Sequence, residues 1–289
     1  MGAVKIVTGR TKVGERGKKR WVALLGLMLV LAPNVFADKP ARIVSMNLCT
    51  DELVVRLAEP GRVAALTRYA ADSDLSTVSE EAKNYRLIRG RVEEVLTLSP
   101  DIVLAGRFTD PPAVWLLKRM GIAVRLIDLP HDFAGIRQNI RDVALVLGEA
   151  ARGEKLITEM DAALAAVPRT LQAGGRPRVL FYQRGGYSPG SGTFEDSILR
   201  EAGAENLAGQ LGIQGYGVIP LEVLLKEHPD WVLFLTSEKN SASVTSQLLF
   251  HPVLRHNQAL RQRTLDSRSL HCGGPASVEA VKALTQTFA

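Results

Sequence analysis

The sequence predicts an α/β fold of two lobes, each built on a parallel sheet, which a single long helix joins and a ligand cleft separates. The first observation is a segment that occurs twice: residues 93–104 recur at 222–233, 129 residues further on, with six of twelve positions identical. Each copy has the pattern of a helix end, a Pro-Asp turn and an apolar run of strand length, as in a buried βαβ unit. The second observation is about thirty residues of helical spacing between the copies, without a strand.

Strands and helices alternate along the first half of the chain, which is typical of a parallel sheet. The first helix runs from Thr50 or Asp51 to Leu57, and Thr50 is its expected N-cap. The other predicted elements of this half are strands at 42–46, 63–66, 102–105 and 123–127 and a helix at 111–120.

The helical stretch covers residues 136–167 and is interrupted near Gly148 and Gly153. Because it lies between two strand-rich regions, we expect it to join the lobes. A second lobe follows, with strands at 179–182 and 231–235 and helices at 194–202 and from about Ser277. The predicted units are a signal peptide at 1–37, an N-terminal α/β lobe at 38–147, a linker helix at 148–175 and a C-terminal α/β lobe at 176–289.

The first 37 residues have the pattern of a cleavable signal peptide. Seven basic residues and one acidic residue precede an uncharged apolar stretch at 21–32, and Val35-Phe36-Ala37 forms a small-x-small cleavage site before Asp38. The alternative is a membrane anchor, but this apolar stretch falls short of the ~20 residues that span a bilayer. We therefore predict a soluble, secreted protein that begins at Asp38.

The positive net charge belongs to this leader. The chain has 36 basic and 30 acidic residues, and without the seven and the one in the leader, 29 of each remain. A neutral mature protein lacks the basic surface that is typical of nucleic-acid binding and a sustained basic face for anionic lipid. The remaining 252 residues are enough for two domains of ordinary size.

The chain has only two cysteines, Cys49 and Cys272. Two are too few for a disulfide framework, and the sequence has no CxxC pair for zinc or redox chemistry. Three possibilities remain open: a disulfide between the lobes, two unrelated buried thiols, or thiols that face a ligand. We predict no metal site, because a His271-Cys272 pair alone offers too few ligand groups.

Four stretches resemble one known family, and together they span nearly the whole mature chain. They are residues 42–53, residues 62–67, the two repeat copies and residues 192–208. On these motifs the chain resembles the periplasmic substrate-binding proteins of ABC importers for cobalamin, ferric siderophores and haem, which are of class III with a helical linker. The resemblance implies two Rossmann-like lobes around a cleft, a periplasmic monomer without a cofactor of its own, and a two-fold permease with its ATPase as partner.

In that family a glutamate on each lobe, seven residues before the proline of the Pro-Asp turn, pairs with arginines of the permease. Glu93 and Glu222 hold these positions here. The alternative is that both are solvated carboxylates in the first turn of a helix, where the helix dipole favours them. Because the same offset recurs in both lobes, we assign the two residues to permease docking.

Ligands of open α/β sheets bind beyond the carboxyl ends of the strands, so the loops after the strands are the candidate site. Aromatic rings cover a flat macrocycle, and arginines bind carboxylate, phosphate or a negatively charged iron chelate. Tyr69 lies where the cobalamin binders carry a cleft tyrosine, whereas residues 87–89 lack an aromatic that is common in those proteins. The candidate ligand-binding residues are Tyr69, Arg68, Arg107, Phe108, Arg184, Tyr187, Tyr216, Asp266, Arg268 and His271.

We therefore predict a binding protein that captures an iron-siderophore or cobalamin-type metal chelate and delivers it to the permease. A haem-binding importer component is the alternative within the family, with Tyr69 or His271 as axial ligand. From other classes, the alternatives are a two-lobed metalloenzyme with a cluster at Cys49, His271 and Cys272, and a cell-surface adhesin. The sequence has neither an HExxH motif nor a P-loop, and we predict that the protein is not an enzyme.

Overall fold

The computed structural model describes residues 39–168, 175–236 and 260–289. The predicted signal peptide at 1–37 and the predicted mature start at Asp38 lie outside the described residues, as do residues 169–174 at the end of the predicted linker. Within the described ranges, no helix is long and apolar enough to cross a bilayer.

The first half of the described chain forms a sheet of five parallel strands. These strands are β1 (Ile43–Ser45), β2 (Val63–Thr67), β3 (Leu87–Ile88), β4 (Ile102–Gly106) and β5 (Ala123–Ile127). Their order across the sheet is β3-β2-β1-β4-β5. The helices of this half are α1 (Leu48–Leu57), α2 (Ser79–Ala82), α3 (Val92–Thr97), α4 (Pro111–Arg119) and α5 (Phe133–Leu147).

The first helix begins earlier than the sequence indicates. Asn47, not Thr50, is the N-cap of α1, because its side-chain oxygen accepts a hydrogen bond from the backbone nitrogen of Cys49 at 2.9 Å. Thr50 lies inside the helix, where its hydroxyl donates to the carbonyl oxygen of Asn47 at 2.9 Å. Asparagine is the stronger N-cap residue of the two. The earlier start places Cys49 in the first turn of α1.

The helical stretch at 136–167 consists of two helices. α5 ends at Gly148, which has a left-handed φ of 70°, and α6 (Ala150–Ala165) follows it. The predicted interruption at Gly153 is wrong, because this residue lies inside α6. A Cβ atom there would lie 2.5 Å from the Cβ of Ala144, so the glycine lets α5 and α6 pack closely. α6 follows the last helix of the first half and is the single linking helix of the predicted fold.

The second half forms a sheet of four parallel strands. These are β6 (Arg178–Phe181), β8 (Glu205–Asn206), β10 (Trp231–Thr236) and β11 (Arg261–Asp266), in the order β11-β10-β6-β8. Two further strands, β7 (Tyr187–Pro189) and β9 (Tyr216–Val218), pair with each other in antiparallel fashion. The helices are α7 (Phe194–Glu201), α8 (Leu207–Gln210), α9 (Leu221–Glu227), α10 (Arg268–His271) and α11 (Ser277–Phe288).

Buried apolar side chains of the described residues form three clusters. The largest runs through both halves and includes Ile140 of α5, Phe181 of β6 and Ile198 of α7. The other two lie on one sheet each, around Val103 of β4 and around Phe234 of β10. Each sheet is therefore covered on both faces, as expected for parallel strands, and the shared cluster ties the two halves together.

The repeated segment makes the same contacts in both halves, at the amino ends of β4 and β10. In the first copy, the carboxylate of Asp101 accepts hydrogen bonds from the backbone nitrogens of Ala41 and Arg42 at 2.7 and 2.9 Å. The Arg42 side chain then donates from Nε to the carbonyl oxygen of Leu98 at 2.8 Å. The arginine thereby satisfies a carbonyl at the end of α3 that has no partner within the helix.

In the second copy, Asp230 accepts from the backbone nitrogen of Arg178 at 2.7 Å, and Arg178 donates from Nη1 to the carbonyl oxygen of Glu227 at 2.9 Å. The residue before the proline of each copy, Ser99 or His228, has a left-handed backbone, with φ of 44° and 46°. This conformation is uncommon outside glycine. We call these two sets of contacts the Arg-Asp bases, and they confirm that the two copies are structural equivalents.

Candidate functional site

A large cavity lies beyond the carboxyl ends of the strands of both sheets, and its volume is about 1130 Å³. This is the position expected for a ligand site in an open α/β sheet. The first half lines the cavity with Asp74 and Leu75 after β2, Arg107 and Phe108 after β4, and residues 128–131 after β5. The second half lines it with Gln183, Tyr187, residues 192–195, Tyr216, Leu235 and several residues between 267 and 273.

Five of the ten predicted ligand-binding residues line this cavity: Arg107, Phe108, Tyr187, Tyr216 and His271. They come from both halves of the chain, as a site between two lobes requires. The Phe108 side chain is 78% exposed. Exposed aromatic rings around a cavity are typical of a ligand-binding surface. That these five residues contact a ligand stays a prediction.

The other five predicted residues do not line the cavity. Arg68 and Tyr69 follow β2 directly, with the guanidinium carbon of Arg68 5.2 Å from the ring centre of Tyr69. Arg184 is exposed in the short turn after β6. Asp266 and Arg268 bind each other, with a distance of 3.0 Å from Nε to Oδ1. The structure therefore separates the predicted set into a cavity group and a group beside it.

Two cavity tyrosines form a stacked pair. The rings of Tyr187 and Tyr216 lie 5.4 Å apart between centroids, with an angle of 4° between their planes. They are held by the antiparallel pairing of β7 and β9, which places the two side chains on neighbouring strands. Both side chains remain 41% and 52% exposed, respectively. The pair therefore offers an aromatic surface to whatever enters the cavity.

Glu195 holds one ring of this pair. The hydroxyl of Tyr216 donates a hydrogen bond to Oε2 of Glu195 at 3.2 Å. Burial raises the pKa of the Glu195 carboxyl. Burial also raises the pKa of Tyr216, and the nearby Glu195 carboxylate adds to this shift. The Tyr216 phenol is therefore protonated at neutral pH and acts as a hydrogen-bond donor, not as an anion.

Arg107 is already paired with a carboxylate in the cavity. Its Nε and Nη2 both bind Asp128, with 3.0 Å from Nη2 to Oδ2. The hydrogen bond from Arg107 lowers the pKa of Asp128. A ligand carboxylate or phosphate at this point would compete with Asp128 for the arginine. Arg107 and Asp128 are both exposed, so replacing Asp128 by a ligand carboxylate or phosphate costs little free energy.

Several cavity residues were not predicted from the sequence, among them Asp128, His131, Phe194 and Glu195. Asp128 and His131 follow β5, so the rule that ligands bind after strand ends would have found them. Glu195 was not predicted because the helix dipole alone is enough to explain a carboxylate in the first turn of a helix. Only the tertiary contact with Tyr216 shows its place in the cavity.

Cys49 and Cys272 form a disulfide, with their Cα atoms 5.0 Å apart. This decides between the three possibilities that the sequence left open. The bond joins the first turn of α1 to the residue after α10, and Cys272 lines the cavity. The alternative of a metal cluster at Cys49, His271 and Cys272 is wrong, because the two thiolates that such a cluster needs are joined in the disulfide. Within the described ranges, no group of three His, Cys, Asp or Glu side chains is placed to hold a metal ion.

One segment of the second half matches the GxSxG pattern of hydrolases: Gly186-Tyr187-Ser188-Pro189-Gly190. In such enzymes the serine stands exposed on a sharp turn between a strand and a helix. Ser188 instead lies within β7, is fully buried, and donates its hydroxyl to the carbonyl oxygen of Gly186 at 3.1 Å. This serine is a structural residue and is not placed as a nucleophile.

The two glutamates predicted to dock a permease lie apart from the cavity. Glu93 is in the first turn of α3 and Glu222 in the first turn of α9. Both are exposed. The Arg-Asp bases hold the two helices in equivalent positions against their sheets, so the two carboxylates occupy equivalent places in the two halves.

Comparison with known proteins identifies relatives over most of this chain. The profile of a family described as periplasmic binding protein matches residues 43–265. Two curated relatives are cobalamin-binding proteins from strains of Halobacterium salinarum, each 25% identical over an alignment of 228 residues that covers 77% of this chain. The chain spans 61% of the length of these relatives.

Solved structures of haem-binding proteins share the fold. The periplasmic haem-binding protein RhuT from Roseiflexus sp. RS-1, in its apo form, is 28% identical with a TM-score of 0.70, over 86% of this chain and 97% of RhuT. The periplasmic haem-binding protein BhuT, in complex with two haems, is 27% identical with a TM-score of 0.71, over 85% of this chain and 96% of BhuT.

Proposed function

This chain belongs to the periplasmic binding protein family, and we propose that it is the substrate-binding component of an ABC importer whose ligand is a metal tetrapyrrole, a corrinoid or haem. The relatives described above are binding proteins named for cobalamin or haem. Both ligands are flat metal macrocycles. The proposal places such a ligand in the cavity between the two sheets.

The stacked Tyr187–Tyr216 pair on the wall of a cavity of about 1130 Å³ carries this proposal. A flat macrocycle needs an extended apolar surface, and aromatic rings supply it with little loss of side-chain freedom. Phe108 supplies a third ring from the first half. His131 and His271 supply imidazoles at the same cavity, and imidazole is a common ligand of a tetrapyrrole metal.

Delivery to the permease completes the proposed function. Glu93 and Glu222 are exposed at equivalent places in the two halves, which suits a partner with two-fold symmetry. Each exposed ion pair supplies only ~0.2–1 kcal/mol, so these contacts serve to orient the complex more than to hold it. The protein would work in the periplasm, after removal of residues 1–37.

The test is a binding titration of the purified mature protein with haemin, cyanocobalamin and a ferric tris-catecholate, followed by visible absorption. We expect saturable binding of a tetrapyrrole at a stoichiometry of one or two. Tyr187→Ala should weaken binding about tenfold through loss of a stacked ring. Tyr216→Phe, which keeps the ring, should weaken it less, and Trp115→Ala, an exposed ring outside the cavity, is the matched control.

Two results would contradict the proposal. One is that neither haemin nor cyanocobalamin binds, while the ferric catecholate does, which would assign the site to a siderophore. The other is that the tyrosine variants bind a tetrapyrrole as tightly as the wild type.

A further inference from the structure

Residues 68–77 form a wall of the cavity, and we call them the wall segment. The segment begins after β2 with Arg68 and Tyr69, and it lines the cavity with Asp74 and Leu75. It also touches the second half, where Nη1 of Arg268 donates to the carbonyl oxygen of Ser73 at 3.1 Å. The wall segment therefore lies between its own lobe and the other one.

Two adjacent carboxyls of α1 hold the two ends of this segment. Asp51 accepts from the backbone nitrogen of Thr67 at 3.1 Å and from the Thr67 hydroxyl, immediately before the segment. Glu52 accepts from the backbone nitrogen of Thr77, its last residue, at 2.9 Å. Both carboxyls are buried, with 0% and 3% of their surface exposed, and neither lines the large cavity.

We propose that Asp51 and Glu52 are positioning residues for the ligand site, which hold the wall segment closed over the ligand and couple its opening to the release of a proton. The inference rests on the proposed function, since it assigns these residues to ligand retention. Carboxyls that only cap a helix need no burial, and these two point away from their own helix backbone to the ends of a loop.

The surroundings of the two carboxyls support the coupling. Burial raises the pKa of Asp51 to about 7, against the hydrogen bonds from Ser45 and Thr67, and Glu52 is the charged group that faces it. Burial also raises the pKa of Glu52, which faces Arg56 of its own helix, Thr77 of the wall segment and His271 of α10. The groups of β1 and β2 that face Asp51 are the hydroxyls of Ser45 and Thr67 and the backbone nitrogen of Thr67, which do not titrate.

The direction of the effect follows from linkage. An opened wall segment exposes Asp51 to water, where its pKa returns towards 3.8, so the closed state binds the proton more tightly than the open state. Closing is therefore favoured at low pH. As pH rises from about 4 to about 7, opening becomes easier by up to tenfold per pH unit, and above about 7 the effect levels off.

Hydrogen exchange of the ligand-free protein tests this inference without any chelate. In the wild type, the amides of Thr67 and the wall segment should lose protection, beyond the intrinsic pH dependence of exchange, between about pH 5 and about 7. Asp51→Ala should lower that protection about tenfold at pH 5, because it removes the acceptor, and it should also abolish the pH profile, because it removes the titrating carboxyl. Asp51→Asn keeps an acceptor for the Thr67 nitrogen, so it should restore the protection and abolish the pH profile.

Binding of haemin or cyanocobalamin, whichever the wild type takes, should fall in parallel: about tenfold weaker in Asp51→Ala and restored in Asp51→Asn. If Asp51→Ala does not fold, Glu52→Ala and Glu52→Gln make the same comparison at the Thr77 amide. Glu80→Gln, an exposed carboxyl on the neighbouring helix α2, is the matched control.

Wild-type exchange in the Asp51→Ala and Glu52→Ala variants would overturn the positioning role. A wild-type pH profile in Asp51→Asn would overturn the coupling. Failure of every chelate to bind would contradict the proposed function, yet leave the exchange result to decide on the wall segment.

Discussion

The two halves of the chain are closely similar at the amino ends of their sheets and differ at the carboxyl ends. At the amino ends, Arg42 with Asp101 and Arg178 with Asp230 make the same contacts, down to the left-handed residue before each proline. At the carboxyl ends, the first half supplies an arginine–aspartate pair and the wall segment, whereas the second supplies stacked tyrosines and Glu195. The repeat thus builds the scaffold and its outer helices, and the loops that do not repeat build the site.

Removing the disulfide should have the largest effect on stability. It closes a loop with a sequence separation of 223 residues, and a cross-link over a long loop chiefly restricts the unfolded chain. The Cys49→Ser, Cys272→Ser double variant should lose about 2–5 kcal/mol in the free energy of unfolding, measured with urea. A reductant should give the wild type the same loss and leave the variant unaffected. An unchanged free energy of unfolding would show that the shared core alone joins the halves.

The Arg-Asp bases should matter for stability and not for binding. Asp101→Ala and Asp230→Ala should each lower the free energy of unfolding by about 0.5–1.5 kcal/mol, because exposed backbone nitrogens exchange a protein acceptor for water. Asp101→Ala should cost more, since Asp101 accepts from two backbone nitrogens and Asp230 from one. Chelate affinity should be unchanged in both. If either variant loses affinity while it remains as stable as the wild type, the division between scaffold and site is wrong.

The smallest energetic effect is expected at the two exposed glutamates. Glu93→Ala with Glu222→Ala should leave stability and chelate affinity unchanged, while importer-dependent uptake falls more than in either single variant. Each ion pair supplies only ~0.2–1 kcal/mol, but charge complementarity also sets the rate of encounter. High ionic strength should therefore reduce the advantage of the wild type. Normal uptake by the double variant at limiting chelate would show that Glu93 and Glu222 do not dock the permease.

The scaffold was predictable because its signals are local. The repeat predicted the strands that begin at 102 and 231. A Pro-Asp pair indicates a turn, and the apolar run after it indicates a buried strand, without reference to distant residues. The α/β class, the order of elements and the linking helix follow from the same patterns. The break at Gly153 was predicted wrongly because its glycine serves the packing of α5 on α6, which is a tertiary reason.

The site was only half predictable because its signals are not local. The rule for strand ends found Phe108, Tyr187 and Tyr216, but it does not say which loop residues turn into the cavity. The pairing of Cys49 with Cys272 depends on where two distant segments meet. The roles of Asp51 and Glu52 were hidden for the same reason, since in the sequence they read as ordinary carboxylates at the start of a helix.

The most direct test of the account is the position of the metal in the bound complex. Crystals of the mature protein would be grown with haemin or cyanocobalamin and measured at the iron or cobalt absorption edge. The anomalous signal locates the metal directly, before the orientation of the macrocycle is assigned. We predict an anomalous peak inside the cavity between the sheets, with the macrocycle against the Tyr187–Tyr216 pair. A peak outside this cavity, or a chelate that does not touch either tyrosine, would contradict it.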